Sequence, residues 1–360
     1  MVEADADSRP ILTVTGITGF LGSNVGLAAL QDGNYRVRGT VRSKNNADKI
    51  DPIRKAYGDF FNQLELVEAD LTNADSLMKA IQGSTYVLHV ASPFTIDTPR
   101  DENELIRPAV DGTLGVLRAC QAAGVRRVSI TSSVAAIRHN DPVSAPDVWD
   151  ESHWADTTLN SLSAYEKSKV MAERAAWKFV EEMPENERIQ LTTVNPGLIL
   201  GRTMIKGEFA SAKIMNMFLN DSIPGGVPLI KMAAVDVEDV AKAHMQCIKL
   251  DEAQGKRYVL VGTSAWMRDL AMILSNNYAQ YGYRVPTNEA KYCLIKFVGF
   301  FRDDAKQIAK MWGKEYNLDN TRSKEILGIE YRPLEQSITT MVEGMIQMGT
   351  AVDKINKGKK

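Results

Sequence analysis

Gly16, Gly19 and Gly22 stand three residues apart where the apolar run Ile11-Leu12-Thr13-Val14 gives way to a helix-forming stretch. No other feature constrains the fold of this chain as strongly. A strand has to turn at once into a helix. Gly16 permits the tight turn, Gly19 lets the backbone approach a bound group, and Gly22 lets the helix pack closely on the strand. The first N–H groups of the helix are then left for an anion, and the helix dipole favours negative charge at that end. Such a turn is a mould for the pyrophosphate of a dinucleotide, with Thr18, Phe20 and Leu21 in the same cradle.

Apolar strands alternate with amphipathic helices behind this turn. Strands are expected near 11–15, 36–41, 63–67, 86–90, 127–131 and 190–194, with an edge strand near 258–261. Helices are expected near 20–31, 47–57, 75–81, 103–123, 164–182 and 237–249. The alternation calls for an α/β fold, a Rossmann-type doubly wound parallel sheet covered on both faces. Between Gly201 and Pro228 no strand is expected, and from Trp266 onward the alternation stops. The expected organisation is a flexible tail over 1–10 and a dinucleotide-binding domain from 11–200 with 231–265. A smaller, mainly helical substrate lobe from 201–230 with 266–346 and a basic flexible tail over 347–360 complete it. Trp266, Met267, Phe297, Phe300 and Phe301 are expected in the core of the smaller lobe.

A chain of 360 residues can bury a core of this size. Its net charge of −2 leaves no electrostatic footprint for nucleic acid. Cys120, Cys247 and Cys293 are few and far apart, which suits a reducing compartment with no disulfide frame and no metal site. His89, His139, His153 and His244 show no ligand spacing and read as packed or surface residues. Met1 to Pro10 is acidic and polar, unlike a signal peptide or mitochondrial presequence. No stretch approaches the ~20 apolar residues that span a bilayer. The expectation is a cytoplasmic protein, monomer or homodimer, with a small-molecule partner and neither nucleic acid nor membrane.

Tyr165 and Lys169 stand four apart at the start of an expected helix, so phenol and ammonium can meet one ligand. Lys169 can hold a ribose, and its charge eases proton loss from Tyr165. A tyrosine so placed can pass a proton to a carbonyl oxygen. A second pair at the same spacing, Tyr292 and Lys296, follows a strand expected at the sheet's edge and reads as lobe packing. Thr131-Ser132-Ser133 ends the fifth strand, beside the first and fourth, where hydroxyls reach the same crevice.

Together these residues resemble the extended branch of the short-chain dehydrogenase/reductase superfamily. Over about residues 11–345 the chain is similar to the NADPH-dependent carbonyl reductases of the dihydroflavonol reductase and cinnamoyl-CoA reductase group. The likeness rests on Thr15-Gly-Ile-Thr-Gly-Phe-Leu-Gly22, Gly39-Thr-Val-Arg-Ser43, Ala69-Asp-Leu71, His89-Val-Ala-Ser-Pro93, Thr131-Ser-Ser133 and Asp150-Glu-Ser152. It continues through Tyr165-x-x-x-Lys169, Asn195-Pro-Gly197, Val235-Asp-Val-Glu-Asp-Val-Ala241, Leu318-Asp-Asn320 and Leu327-Gly328. The resemblance implies a catalytic set of Ser133, Tyr165 and Lys169. It places Asp70 and Leu71 at the adenine, Val90, Ala91 and Ser92 beside ribose and nicotinamide, and Pro196, Leu198 and Ser211 at the carboxamide end.

An NAD enzyme places a carboxylate after its second strand to bind the ribose 2′-hydroxyl. Here Arg42 stands in that region, and an arginine there suits a 2′-phosphate. The resemblance implies a second cation at Lys49, with Lys44 as the alternative. NADPH is the expected cofactor. The substrate pocket is expected to be mostly apolar, lined by Phe94, Val134 and Ile137 beside Tyr165, with Leu198 and Ile199. The expected reaction is hydride transfer to a hydrophobic or aromatic aldehyde or ketone. A hydroxysteroid dehydrogenase, a nucleotide-sugar epimerase or dehydratase, and a non-catalytic NADPH sensor remain alternatives. For the epimerase, Arg268, Arg284 and Arg302 could meet a substrate diphosphate.

Overall fold

Runs rich in Val, Ile and Leu between polar turns form strands here, and stretches with apolar residues on one face form the helices that cover them. The computed structural model describes residues 7–92, 101–139, 145–159, 161–207, 209–223, 225–299 and 303–356. Its strands are β1 (Ile11–Thr15), β2 (Arg36–Val41), β3 (Leu64–Glu68), β4 (Tyr86–His89) and β5 (Arg127–Thr131). They continue with β6 (Gln190–Pro196), β7 (Leu198–Leu200), β8 (Lys231–Asp236), β9 (Arg257–Leu260) and β10 (Thr263–Trp266). The helices are α1 (Phe20–Asp32), α2 (Ala47–Tyr57), α3 (Ala74–Ile81), α4 (Asn103–Ala122), α5 (Ala164–Glu181) and α6 (Ala210–Leu219). After these come α7 (Val237–Lys249), α8 (Met267–Tyr278), α9 (Tyr292–Val298), α10 (Asp303–Met311), α11 (Thr321–Glu325) and α12 (Leu334–Gln347).

Seven strands form one parallel sheet in the order β3-β2-β1-β4-β5-β6-β9. This is the expected doubly wound fold, with β9 at the edge. Side chains of α1, α2 and α7 build the core over one face, through Val25, Leu30, Ile53, Val240 and Ile248. Those of α3, α4 and α5 build the other, through Leu77, Val116, Leu117, Ala176 and Val180. Each such buried valine, leucine or isoleucine contributes roughly 1.5–3 kcal/mol by leaving water. The strand order reverses between β1 and β4, so a crevice opens outside their carboxyl ends.

A second sheet was not foreseen. Strands β7, β8 and β10 form it, with β8 central, parallel to β7 and antiparallel to β10. Lys231–Asp236, expected with the larger domain, is thus the middle strand of this small sheet. A separate core packs α6, α8 and α12 around it, including Leu200, Phe218, Ala234, Leu270, Leu274 and Met341. Met267 packs against this core as expected. Phe297 does not: it is 62% exposed, because only Ile295 of the short helix α9 faces inward. Phe300 and Phe301 lie outside the described residues. Tyr292 lies 5.5 Å from the Trp312 ring but is 45% exposed, and Lys296 is exposed, so neither is packed into the lobe as expected.

Candidate active site

The glycine turn has the shape that its spacing requires. Gly16 takes a φ of +68°, open to glycine at little cost. A Cβ on Gly22 would lie 2.1 Å from the Gly16 carbonyl oxygen, so the helix start can lie this close only without a side chain. Gly19 caps α1, no side chain caps the helix, and its first turn holds no acidic residue. The N–H groups of Phe20, Leu21 and Gly22 begin the helix and have no intrahelical acceptor. This is an anion cradle, and it fits a dinucleotide diphosphate.

Thr15 fastens the two lips of the crevice. Its Oγ1 accepts from the N–H groups of Val90 at 3.0 Å and Ala91 at 3.1 Å. The same hydroxyl lies 2.9 Å from His89 Nδ1. Burial, then the charge of Lys169, lowers His89 to about 4, so its ring is neutral and Nδ1 can accept the Thr15 proton. The end of β4 is thereby pinned beside Gly16, where an added Cβ would lie 2.9 Å from that of Ala91. Spacing gave no sign of this role for Thr15.

Ser92, Tyr165 and Lys169 come together at this end of the sheet. Lys169 Nζ donates to Ser92 Oγ at 3.1 Å and lies 5.7 Å from the centre of the Tyr165 ring. Tyr165 sits in the first turn of α5 and is 37% exposed. That turn is fixed by a capping box: Glu166 N–H donates to Ser163 Oγ at 3.3 Å, and Ser163 N–H donates to Glu166 Oε2 at 2.8 Å. Ser133 follows β5 and heads a short turn over 134–136, its Oγ accepting the Ala135 N–H at 3.1 Å. That bond uses a lone pair and keeps the Ser133 hydroxyl proton for another acceptor.

Arg42 is exposed at the end of β2. Its charge is among the causes that hold Asp70 below the usual carboxylate range, after the two bonds from Thr72. Leu71 is half-buried beside Gly112 of α4. Lys49 is exposed on α2 with Nζ 3.4 Å from the Lys206 carbonyl oxygen. Two residues after β7 reach the start of α1: Phe209 stacks on Phe20 at 4.3 Å, and Asn24 Nδ2 donates to the Arg202 carbonyl at 3.0 Å. Ser211, two residues further on, is buried in the first turn of α6. Phe209 was missed because its partner is far away in sequence.

Pro196 is buried at the end of β6, and Leu198 is half-buried in β7. The apolar wall needs one correction. Ile137 is fully buried among Val134, Trp149, Ala233, Val259 and Val261, so its side chain is core beneath the site rather than pocket lining. The turn at 134–136 directs it inward. Val134 keeps a small exposed fraction, and Phe94 lies outside the described residues. Among the described residues no group of His, Cys, Asp and Glu could hold a metal ion, and no helix is long and apolar enough to cross a membrane.

The doubly wound sheet and its glycine turn are those of a dinucleotide-binding fold. The model of the NAD-dependent epimerase/dehydratase family matches residues 12–262, and the chain belongs to that family. It is 33% identical to cinnamoyl-CoA reductase CAD2 of Medicago truncatula over 339 residues, 93% of this chain and 95% of that protein. With an anthocyanidin reductase of Vitis vinifera it shares 34% identity over 288 residues, 76% of this chain and 82% of the other. Yeast methylglyoxal/isovaleraldehyde reductase Gre2, solved in complex with NADPH, superposes with a TM-score of 0.76 at 27% identity. That match covers 95% of this chain and 99% of Gre2. The expected place among extended short-chain dehydrogenases/reductases, beside the cinnamoyl-CoA reductase-like enzymes, holds, and the chain is an oxidoreductase.

Proposed function

We propose that this chain is an NADPH-dependent reductase of aldehyde or ketone carbonyls on hydrophobic or aromatic substrates, with Tyr165 as the proton donor. The observation that carries the reading is the meeting of Lys169, Tyr165 and Ser92 beside an anion cradle, with Ser133 at the neighbouring strand end. NADPH held there supplies the hydride. Ser133 donates its hydroxyl proton in a hydrogen bond to the carbonyl oxygen and fixes its position. As negative charge grows on that oxygen, Tyr165 transfers its proton to it, and the ammonium of Lys169 stabilises the phenolate left behind. The phenolate regains its proton from solvent, since Tyr165 is exposed.

Arg42 and Lys49 supply cations for the 2′-phosphate, which supports NADPH over NADH. Val134, Leu198 and Ile199 bring apolar surface to the substrate side, which favours a hydrophobic carbonyl compound. The relatives named for cinnamoyl-CoA and for isovaleraldehyde reduction support an apolar carbonyl substrate, while Gre2 is named for the small polar methylglyoxal as well.

The test is Tyr165→Phe. Turnover should fall by about 1,000-fold while the NADPH dissociation constant, followed by fluorescence, changes less than about twofold. A Phe variant with undiminished turnover would remove Tyr165 from the mechanism.

A further inference from the structure

Below the site lies a carboxylate with no part in the proton transfer. Glu173 stands four residues after Lys169 and eight after Tyr165 on α5, and its side chain is fully buried. Its Oε1 accepts from Arg257 Nε at 2.6 Å, Thr193 Oγ1 at 2.9 Å and Trp177 Nε1 at 3.3 Å. Its Oε2 accepts from Ser132 Oγ at 2.5 Å, Asn195 Nδ2 at 2.8 Å and Arg257 Nη2 at 3.4 Å. Arg257, on β9, is held in turn by the carbonyls of Glu151 and His153 and lies 3.7 Å from the centre of the Trp154 ring.

Two of these donors, Ser132 and Asn195, frame Ser133. Ser132 precedes Ser133 and is tied through its N–H to the Val194 carbonyl at 2.8 Å. Asn195 Nδ2 also donates to the Ser133 carbonyl at 3.1 Å. A single carboxylate therefore joins the helix that carries Tyr165 and Lys169 to the strand ends that carry Ser133 and Pro196. Net stability is a poor reason for this arrangement, because a buried ion pair is often matched or exceeded by well-packed apolar residues. What apolar packing would not give is a fixed direction at each strand end, and hydride transfer is steeply sensitive to sub-ångström placement.

We propose that Glu173 is a positioning residue: through Ser132 and Asn195, with Arg257 as its counter-charge, it sets Ser133 against Tyr165 and Lys169. The inference rests on the catalytic reading of those three residues. It is tested by Glu173→Gln, Asn195→Ala and Ser132→Ala, assayed with NADPH carrying hydrogen or deuterium at the transferred position. Thermal unfolding and NADPH affinity are measured on the same samples. Ser84→Ala is the structural control, since the Ser84 hydroxyl pairs with the Thr13 hydroxyl at 2.7 Å, ahead of β4 and away from the carboxyl ends of the strands.

Glu173→Gln and Asn195→Ala should lower kcat by about 100-fold and Ser132→Ala by about tenfold, with KM and NADPH affinity within about threefold. The deuterium effect on kcat should grow as the chemical step becomes limiting, and Ser84→Ala should lower Tm while leaving kcat unchanged. If Glu173→Gln does not fold, Asn195→Ala and Ser132→Ala decide, because both leave the Glu173–Arg257 pair intact. An unchanged kcat and isotope effect in the folded variants, with Tm lowered as in Ser84→Ala, would overturn the proposal. Activity surviving in Tyr165→Phe would instead overturn the catalytic reading on which it rests.

Discussion

Gly22 has the least freedom of any residue in the cradle. A methyl group there would meet the backbone oxygen of Gly16 at 2.1 Å, and no side-chain rotation can relieve that contact. Gly22→Ala should lower stability by about 1–3 kcal/mol and weaken NADPH by at least about tenfold, since the turn must open. Calorimetric titration and thermal melts check both, and unaltered affinity would mean that this turn does not hold the phosphates. At this scale the sequence was informative where chemistry is local. Glycine spacing, Tyr165 with Lys169, and the hydroxyls at 131–133 are each visible within a few residues. Glu173 was not, because its partners arrive from Ser132, Thr193, Asn195 and Arg257, on three separate strands or strand ends. Ile137 was misread for a related reason: apolar character marks a buried position but does not say whether a pocket or the core lies against it.

Strand β5 and helix α7 meet through a fully buried imidazole. His244 Nδ1 lies 2.9 Å from Ser129 Oγ, and Nε2 lies 2.8 Å from Thr131 Oγ1. Burial, then the neighbouring His89, lowers His244 to about 3, while His89 itself lies at about 4. Both rings are neutral in the fold, against an ordinary value of 6.5. Below that value the unfolded chain binds protons that the folded chain does not, so stability present near neutrality is lost as pH falls. The loss should reach about 2 kcal/mol for each histidine by about pH 5. Urea unfolding at neutral and acid pH measures it, and His244→Gln should show a shallower fall; an equal fall would show that His244 does not contribute. The large sheet was readable because its strands are apolar runs set between helices. The small one was not: β7 has three residues and β10 four, too short for any period to emerge.

Across the whole molecule, the reversal of strand order between β1 and β4 gathers the candidate site residues at one end of the sheet. The glycine turn leaves β1, Arg42 follows β2, Asp70 follows β3, Ser92 follows β4, Ser133 follows β5, and Pro196 ends β6. Helix α5 brings Tyr165 and Lys169 across them. Local sequence could place each residue at a strand end, and the topology then decided that those ends meet. What no local pattern could supply was the second core, where α6, α8 and α12 from distant parts of the chain close on one small sheet. The central claim is that this assembly reduces carbonyl compounds with NADPH. The most direct measurement is the rate of NADPH and NADH oxidation with aromatic aldehydes, α-diketones and β-ketoesters, for the unaltered chain and for Arg42→Ala. The expected result is carbonyl-dependent oxidation favouring NADPH by at least about tenfold in kcat/KM, a preference that Arg42→Ala largely removes. Tight NADPH binding with no carbonyl reduced would contradict it.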